Sequence, residues 1–345
     1  MAAGDLAAAA DAGDQILALK PTGLTLALVV LGVMKLAKER QHWQAVLDWS
    51  SKVTPNMLDD QPRTVGNERY MAHRLTWYLT SSRALYELKR FDEARELARA
   101  GLVEFPGEVF LMRTAALALA ESGDLPGAIA EMRTVVAGPR ADWYMKAELS
   151  ELLFRAEQYA EAYRLMCEAL SDRRQSEQYK VKCFAVLARL ALKLGKPRVA
   201  AEHVALAKAV YAESKWRVSP ETVLAEQEVK AAYEAAGEAL PDLPTSSDQL
   251  TQICSAHWRA GAVEGLRFYT GTVKPYPEGR LFTYIRRNDG GDDVYVLVRD
   301  LPPACREPGS QVGFALMASF DRKKGRESVR AVHVRMRKRP HGTEP

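Results

Sequence analysis

Aromatic and arginine side chains alternate along one short stretch of this chain, residues 280–298. Side chains in a strand point alternately to its two faces, and one face of the first segment would hold Arg280, Phe282, Tyr284 and Arg286. Tyr295 takes a matching place in the next segment. Rings stack on the bases of single-stranded nucleic acid, and arginines attract its phosphates. The spacing therefore predicts a surface that binds RNA or single-stranded DNA.

The two segments are separated by the turn sequence Asn288-Asp289-Gly290-Gly291. Asp-Gly tolerates the positive φ angles of tight turns, so this sequence indicates a β-hairpin. The face of the hairpin opposite the rings is mostly aliphatic, with Leu281, Thr283 and Ile285 before the turn and Val294, Val296 and Val298 after it. Such a face can fill the inside of a small barrel.

Residues 271–301 resemble the bacterial cold-shock domain, a five-stranded OB-fold barrel. Gly271, Val273 and Lys274 open the resemblance, residues 280–285 fall on the first RNA-binding motif of that family, and residues 294–298 fall on the second. Several positions depart from the family: Pro275 replaces an exposed tryptophan, Leu297 a histidine, and Leu281 and Thr283 two glycines. The resemblance thus implies a nucleic-acid platform that is weaker or narrower than the family norm.

The predicted binding set combines the rings with nearby cations. It comprises Lys274, Tyr276, Arg280, Phe282, Tyr284, Arg286 and Tyr295, together with a basic turn of Arg322, Lys323, Lys324 and Arg326 that can hold phosphates without reading sequence. A solvated turn is the other interpretation of those four cations. Further strands are predicted near residue 265, at 312–320 and at 328–336.

Positive charge is concentrated in this C-terminal region. Residues 266–340 contain 16 Lys and Arg and 8 Asp and Glu, a net charge of +8, whereas the whole 345-residue chain carries +4. Such an asymmetry favours a polyanion-binding appendage. A soluble barrel with an ordinary basic tail remains the alternative.

The preceding part of the chain has a helical pattern with a period of 34 residues. Three series follow it: Phe91, Leu125 and Tyr159; Ala94, Ala128 and Ala162; and Ser82, Ala116 and Ser150. A 34-residue period with small residues at fixed places resembles the tetratricopeptide repeat, a pair of antiparallel helices that stacks into a superhelix. A fourth unit is displaced by four residues around Ala200, and residues 24–53 suggest a degenerate first repeat.

The resemblance to tetratricopeptide repeats implies a groove for a protein partner, whose identity it does not give. Several cations can face such a groove, although solvated surface charges are the commoner case: Arg74, Arg83, Arg113, Lys146 and Lys180. Ser219-Pro220 predicts the start of a terminal capping helix, and residues 241–247 a boundary followed by a short helix.

Residues for catalysis, metal or cofactor binding do not occur in any familiar spacing. The six histidines form no ligand pattern, and phosphate loops, dinucleotide fingerprints and nucleophile elbows are missing from the sequence. Four widely spaced cysteines favour a reducing cytoplasm, and the apolar run at 24–34 is too short to span a bilayer. We therefore expect a non-enzymatic cytoplasmic protein without cofactor, metal or membrane insertion.

The predicted fold class is multidomain, an α-helical tetratricopeptide superhelix followed by an all-β five-stranded OB or cold-shock-like barrel. The expected limits are a flexible N-terminus at 1–20, helical repeats at 21–240, a linker with a short helix at 241–263, and the barrel at 264–340. The leading hypothesis is an adaptor that docks a protein on its helices and binds RNA or single-stranded DNA on its barrel. The alternative is a pure protein scaffold, of a regulatory or phage-defence type, whose barrel has lost nucleic-acid binding.

Overall fold

The structure is a computed structural model that describes residues 6–138, 140–172, 174–321 and 326–337, with backbone alone at 65, 318–321, 326 and 327. The chain divides into two compact units, Met1–Val135 and Val136–Pro345. This division lies inside the helical region, whereas the sequence predicts a boundary after residue 240, and the predicted limits stay predictions. The described residues form 13 α-helices in tetratricopeptide-like pairs, followed by a closed five-stranded β-barrel.

Seven helices make up the first part of the chain: α1 Leu6–Ala18, α2 Gly23–Glu39, α3 Trp43–Ser50, α4 His73–Glu87, α5 Phe91–Glu104, α6 Val109–Glu121 and α7 Leu125–Ala137. Helix α1 corrects the expectation of a flexible N-terminus at 1–20. Its alanine-rich sequence has high helix propensity, and Gly13 lies against the ring of Trp49, where a Cβ would come within 2.5 Å.

The polar insert between α3 and α4 contains a small hairpin that the sequence pattern did not predict. Its strands are β1 Arg63–Val65 and β2 Glu68–Tyr70, paired antiparallel across the Gly66 turn, and a short 3₁₀ segment at Pro55–Met57 precedes them. Outward polar side chains on both faces conceal such short strands, because no apolar alternation marks them.

The 34-residue spacing coincides with the helix boundaries. Helices α5, α7 and α9 begin at Phe91, Leu125 and Tyr159. The small residues of the other two series are fully buried: Ser82, Ala94, Ala116, Ala128, Ser150 and Ala162. Small side chains allow two helices to cross closely, and Ser150 Oγ donates a hydrogen bond of 2.7 Å to the Ala162 carbonyl oxygen across one such crossing. The periodicity therefore reflects helix packing.

Six helices precede the barrel in the second part of the chain: α8 Trp143–Arg155, α9 Tyr159–Leu170, α10 Glu177–Lys193, α11 Pro197–Glu213, α12 Pro220–Ala236 and α13 Ser247–Gly261. The predicted cap is present at α12, where the Ser219 hydroxyl accepts from the Thr222 amide. Helix α12 packs on α10 and α11, whereas α13 packs on α9 and α11. No helix in the described residues is long and apolar enough to cross a membrane.

The barrel consists of β3 Phe268–Val273, β4 Phe282–Arg287, β5 Val294–Leu297, β6 Gln311–Asp321 and β7 Arg326–Met336. The strand order is β3-β4-β5-β7-β6, and β6 pairs with β3 to close the ring. All pairs are antiparallel except β5 with β7. The core is aliphatic, with Val273, Ile285, Val294, Val296, Val312 and Phe314 among its buried residues. These strands match the five expected from the sequence to within a few residues.

Candidate nucleic-acid interface

Strands β4 and β5 position the predicted rings. Thr283 and Ile285 of β4, and Val294 and Val296 of β5, are buried, so the alternate residues face outward. The outward residues are Phe282, Tyr284 and Arg286 on β4 and Tyr295 and Leu297 on β5. Tyr284 lies opposite Tyr295 in the antiparallel register, and Phe282 lies opposite Leu297. The faces therefore separate as the alternation predicts.

Phe282, Tyr284 and Tyr295 contact one another, and we call them the ring cluster. The centroid of Phe282 lies 5.3 Å from that of Tyr295 and 6.1 Å from that of Tyr284, and the two tyrosine centroids are 6.2 Å apart. Edge-to-face and tilted geometries at these distances are favourable for aromatic pairs. Tyr284 is 41% exposed, while Phe282 and Tyr295 are half-buried. The cluster thus presents a preformed aromatic surface to solvent.

Arginines border the ring cluster. The guanidinium carbon of Arg280 lies 4.2 Å from the centroid of Phe282, within the range of a cation–π contact. Arg286 is exposed and lies opposite Thr272 of β3. Burial raises the pKa of Tyr295, and the positive charge of Arg330 opposes the rise. Positive potential is therefore present at the rings, where an anionic ligand would profit from it.

Two other predicted residues lie in the loop that follows β3. Lys274 Nζ donates to Asp293 Oδ2 at 2.6 Å, an ion pair at the surface. The ring of Tyr276 packs against the barrel core, and its hydroxyl donates to the Arg306 carbonyl oxygen at 2.5 Å. Tyr276 is thus occupied in closing the barrel, which departs from its predicted role in the row of rings.

The predicted basic turn is largely beyond the described residues. Arg322, Lys323 and Lys324 lie outside them, and Arg326 is described as backbone at the start of β7. Their phosphate-binding role stays a prediction.

Leu281 differs from its predicted inward position. It is 79% exposed, because β4 begins one residue later, at Phe282. The preceding segment is a turn in which the Arg280 amide donates to the Pro277 carbonyl oxygen and Gly279 has φ +78°. A strand alternation extended backwards through this turn assigns Leu281 to the wrong side. An exposed leucine therefore stands beside the ring cluster.

Arg330 is a neighbour of the ring cluster that sequence reasoning missed. It lies on β7 and is paired with Tyr295 in the parallel register. The pairing joins residues 35 positions apart, and no local pattern reveals it. A second arginine and ring contact was also missed: the Arg335 guanidinium carbon lies 4.0 Å from the centroid of Phe268.

Most cations considered for the helical groove have partners within the protein. Arg74 Nη1 donates to Glu104 Oε2 at 2.8 Å, Arg83 pairs with Glu87, and Lys146 pairs with Glu168. Lys180 is buried, and its Nζ donates to the carbonyl oxygens of Leu170 and Asp172. These four side chains stabilise the helices, which favours the structural interpretation of them.

No family model matches the chain, and no curated protein sequence matches it. It is similar to solved structures with repeats: a putative kinesin light chain of Podosopora anserina with nearly identical TPR-like repeats, at 19% identity over 56% of this chain and 97% of that chain with a TM-score of 0.37, and a second crystal structure under the same description, at 18%, 55%, 95% and 0.38. It is also similar to the APC/C hetero-tetramer Cut9–Hcn1, at 14% identity, 70% of this chain, 51% of that chain and a TM-score of 0.31. The repeat assignment itself rests on the helix pairs and the 34-residue spacing.

Proposed function

We propose that this protein is a non-enzymatic adaptor that binds RNA or single-stranded DNA through its barrel and a protein partner through its helical repeats. The observation that carries the proposal is the ring cluster, three mutually contacting rings on the outer face of β4 and β5, with Arg280 stacked on Phe282. Bases of any sequence can stack on such rings while nearby cations hold the phosphates.

The strand arrangement supports the same proposal. A five-stranded barrel in which the fourth strand pairs with the first, and the fifth lies parallel to the third, is the arrangement of the OB-fold and the cold-shock domain. In OB-folds, the face of the second and third strands is the usual site for oligonucleotides. Here those strands are β4 and β5, which hold the ring cluster.

Protein docking on the helices is the second half of the proposal. Stacked tetratricopeptide-like pairs expose helix surfaces that commonly hold a peptide or helix. Exposed apolar side chains lie on two such helices, Phe110 on α6 and Tyr179 on α10. Four buried cysteines without disulfides fit a reducing compartment, and we propose the cytoplasm.

A labelled oligonucleotide titration tests nucleic-acid binding. At low salt, a hexathymidylate or hexauridylate should bind the protein, and the affinity should fall as salt increases. Absence of binding to both probes at low salt would refute this half of the proposal. For the helices, a partner that stays bound after nuclease treatment, and to a Phe282→Ala variant, does not depend on nucleic acid.

A protein scaffold whose barrel no longer binds nucleic acid is the second candidate. The 79% exposure of Leu281 beside the ring cluster favours it, because an exposed leucine and three rings together make an apolar patch suited to a protein. The exposure of Tyr284 counts against one form of this candidate, in which the helices of the same chain cover the rings. The titration above discriminates between the two candidates.

A further inference from the structure

Arg330 lies on the outer face of the barrel, next to the ring cluster. The next residue along β7, Ala331, is buried in the barrel core, so Arg330 faces the opposite way. In the parallel pair of β5 and β7, Arg330 is the register partner of Tyr295. Side chains on adjacent strands stand about 5 Å apart at their origin. The guanidinium of Arg330 therefore belongs to the same surface as the rings.

One donor of Arg330 has no acceptor in the described structure. Its Nε is buried and lacks a hydrogen-bond partner. Neighbouring cations of the barrel differ in this respect: Lys274 pairs with Asp293, Arg287 with Asp289, and Arg306 Nε donates to the Leu301 carbonyl oxygen. A buried donor without an acceptor is unfavourable, and its position beside an exposed aromatic surface indicates that a ligand supplies the acceptor.

The charges around Tyr295 favour an anionic acceptor. The positive charge of Arg330 opposes the effect of burial on the pKa of the Tyr295 hydroxyl, which shows that the two groups are close. Asp300 and Arg299 also act on Tyr295, in opposite directions, and lie 3.8 Å from each other. Arg280 lies on the ring of Phe282, so the cluster has an arginine at Phe282 and another at Tyr295.

We propose that Arg330 binds a backbone phosphate of a single strand whose adjacent base stacks on Tyr295. This inference rests on the proposed function and adds to it a phosphate subsite on β7, outside the two hairpin motifs. An arginine presents a planar fork of donors that matches two phosphate oxygens, whereas a lysine presents a point charge. The ligand class is any single-stranded RNA or DNA, because a phosphate contact conveys no sequence preference.

The test is the salt dependence of binding to fluorescein-labelled hexathymidylate. Arg330→Met keeps most of the side-chain stem and removes the charge, and it should weaken binding about 10-fold. The slope of log affinity against log salt should decrease by about 0.7, the value for one phosphate contact with a single strand. Arg330→Lys should retain the slope. Arg335→Met, on the same strand but stacked on Phe268, is the matched control for loss of one charge.

A second probe isolates the phosphate. With a hexamer whose linkages are neutral methylphosphonates throughout, Arg330→Met should bind as the wild type does, because the contact it removes is already missing. An equal loss for both probes would overturn the inference, as would an Arg330→Met slope equal to that of the wild type. The neutral probe with wild-type protein, and the Arg330→Lys variant, keep the test decisive if Arg330→Met does not fold.

The outcomes separate this inference from the proposed function. If Phe282→Ala abolishes binding while Arg330→Met and Arg335→Met both bind as the wild type does, the phosphate subsite is refuted and the ring platform stands. If the wild-type protein binds neither hexathymidylate nor hexauridylate, both proposals are refuted.

Discussion

Phe282 is the side chain on which the ring cluster depends most. It contacts Tyr284 and Tyr295 and supports the guanidinium of Arg280. Phe282→Ala should weaken binding of a hexathymidylate by about 1–3 kcal/mol, since it removes one stacking surface and unsettles its neighbours. Fluorescence anisotropy measures the affinity.

Tyr179→Ala is the matched control for that substitution. Tyr179 is a ring of α10 that is 73% exposed, so its removal tests the loss of any exposed ring. Equal effects of the two substitutions would contradict the account, because the effect would then have no relation to the barrel surface.

Lys180 shows a different use of a charged side chain. It is 1% exposed, burial lowers its pKa, and its Nζ donates to the carbonyl oxygens of Leu170 and Asp172 after the end of α9. Lys180→Met keeps the volume but leaves both carbonyls without this donor, and should lower the free energy of unfolding by about 1–3 kcal/mol. Urea denaturation measures it. Lys35→Met, at an exposed helix position, should change stability by less than about 0.5 kcal/mol.

The contact between β3 and β4 depends on a glycine at the element scale. A Cβ on Gly271 would lie 2.4 Å from the Arg286 carbonyl oxygen, too close for the strands to keep their spacing. Gly271→Ala should therefore destabilise the barrel by about 1–3 kcal/mol. Gly313 of β6 is the control, since the nearest atom to its added Cβ is 3.6 Å away. A thermal unfolding midpoint that falls equally for both variants would show that close approach at Gly271 is unimportant.

Helix α13 packs on α11 through a buried histidine. Trp258 Nε1 donates to His203 Nε2 at 2.8 Å, so the ring proton is on Nδ1, which faces the Val199 carbonyl oxygen at 2.7 Å. Both nitrogens are thus satisfied in the neutral ring, and burial lowers the pKa of His203 to about 4.

This packing predicts a loss of stability in mild acid. The unfolded chain takes up the histidine proton near pH 6.5, before the folded protein does, so stability is complete above that pH and falls as pH decreases to about 4. The total loss from His203 should be up to about 3 kcal/mol. Burial also lowers the pKa of His73 and His333, which add to the same fall. Urea denaturation at several pH values should show it.

His203→Gln isolates the contribution of His203, because glutamine does not titrate. Its unfolding free energy should depend less on pH between 4 and 6.5 than that of the wild type. An unchanged pH dependence would contradict the assignment of a neutral buried ring.

Elements with a local repeat or alternation were predictable from the sequence. The starts of α5, α7 and α9 follow from the 34-residue spacing, and the outward rings of β4 and β5 follow from period-two alternation. Features set by non-local pairing or by turns were not. Arg330 reaches Tyr295 only through the parallel pairing of β7, and the turn before β4 exposes Leu281.

At the scale of the whole molecule, charge and architecture divide between the helical repeats and the barrel. The C-terminal 266–340 segment carries a net charge of +8 within a chain of +4, so the remainder is net acidic. A polyanion should therefore associate with the barrel rather than with the helices, and its affinity should decrease steeply with salt. The helices remain available for a protein partner of different chemistry.

The most direct measurement of the central claim is crosslinking of the full-length protein to a photoreactive single strand, with the crosslinked peptides located by mass spectrometry. A hexamer carrying 5-iodouridine crosslinks to aromatic rings on which the base stacks. The account predicts crosslinks at Phe282, Tyr284 or Tyr295, and their loss when unlabelled strand competes. Crosslinks confined to the helical repeats, or none at low salt, would contradict it.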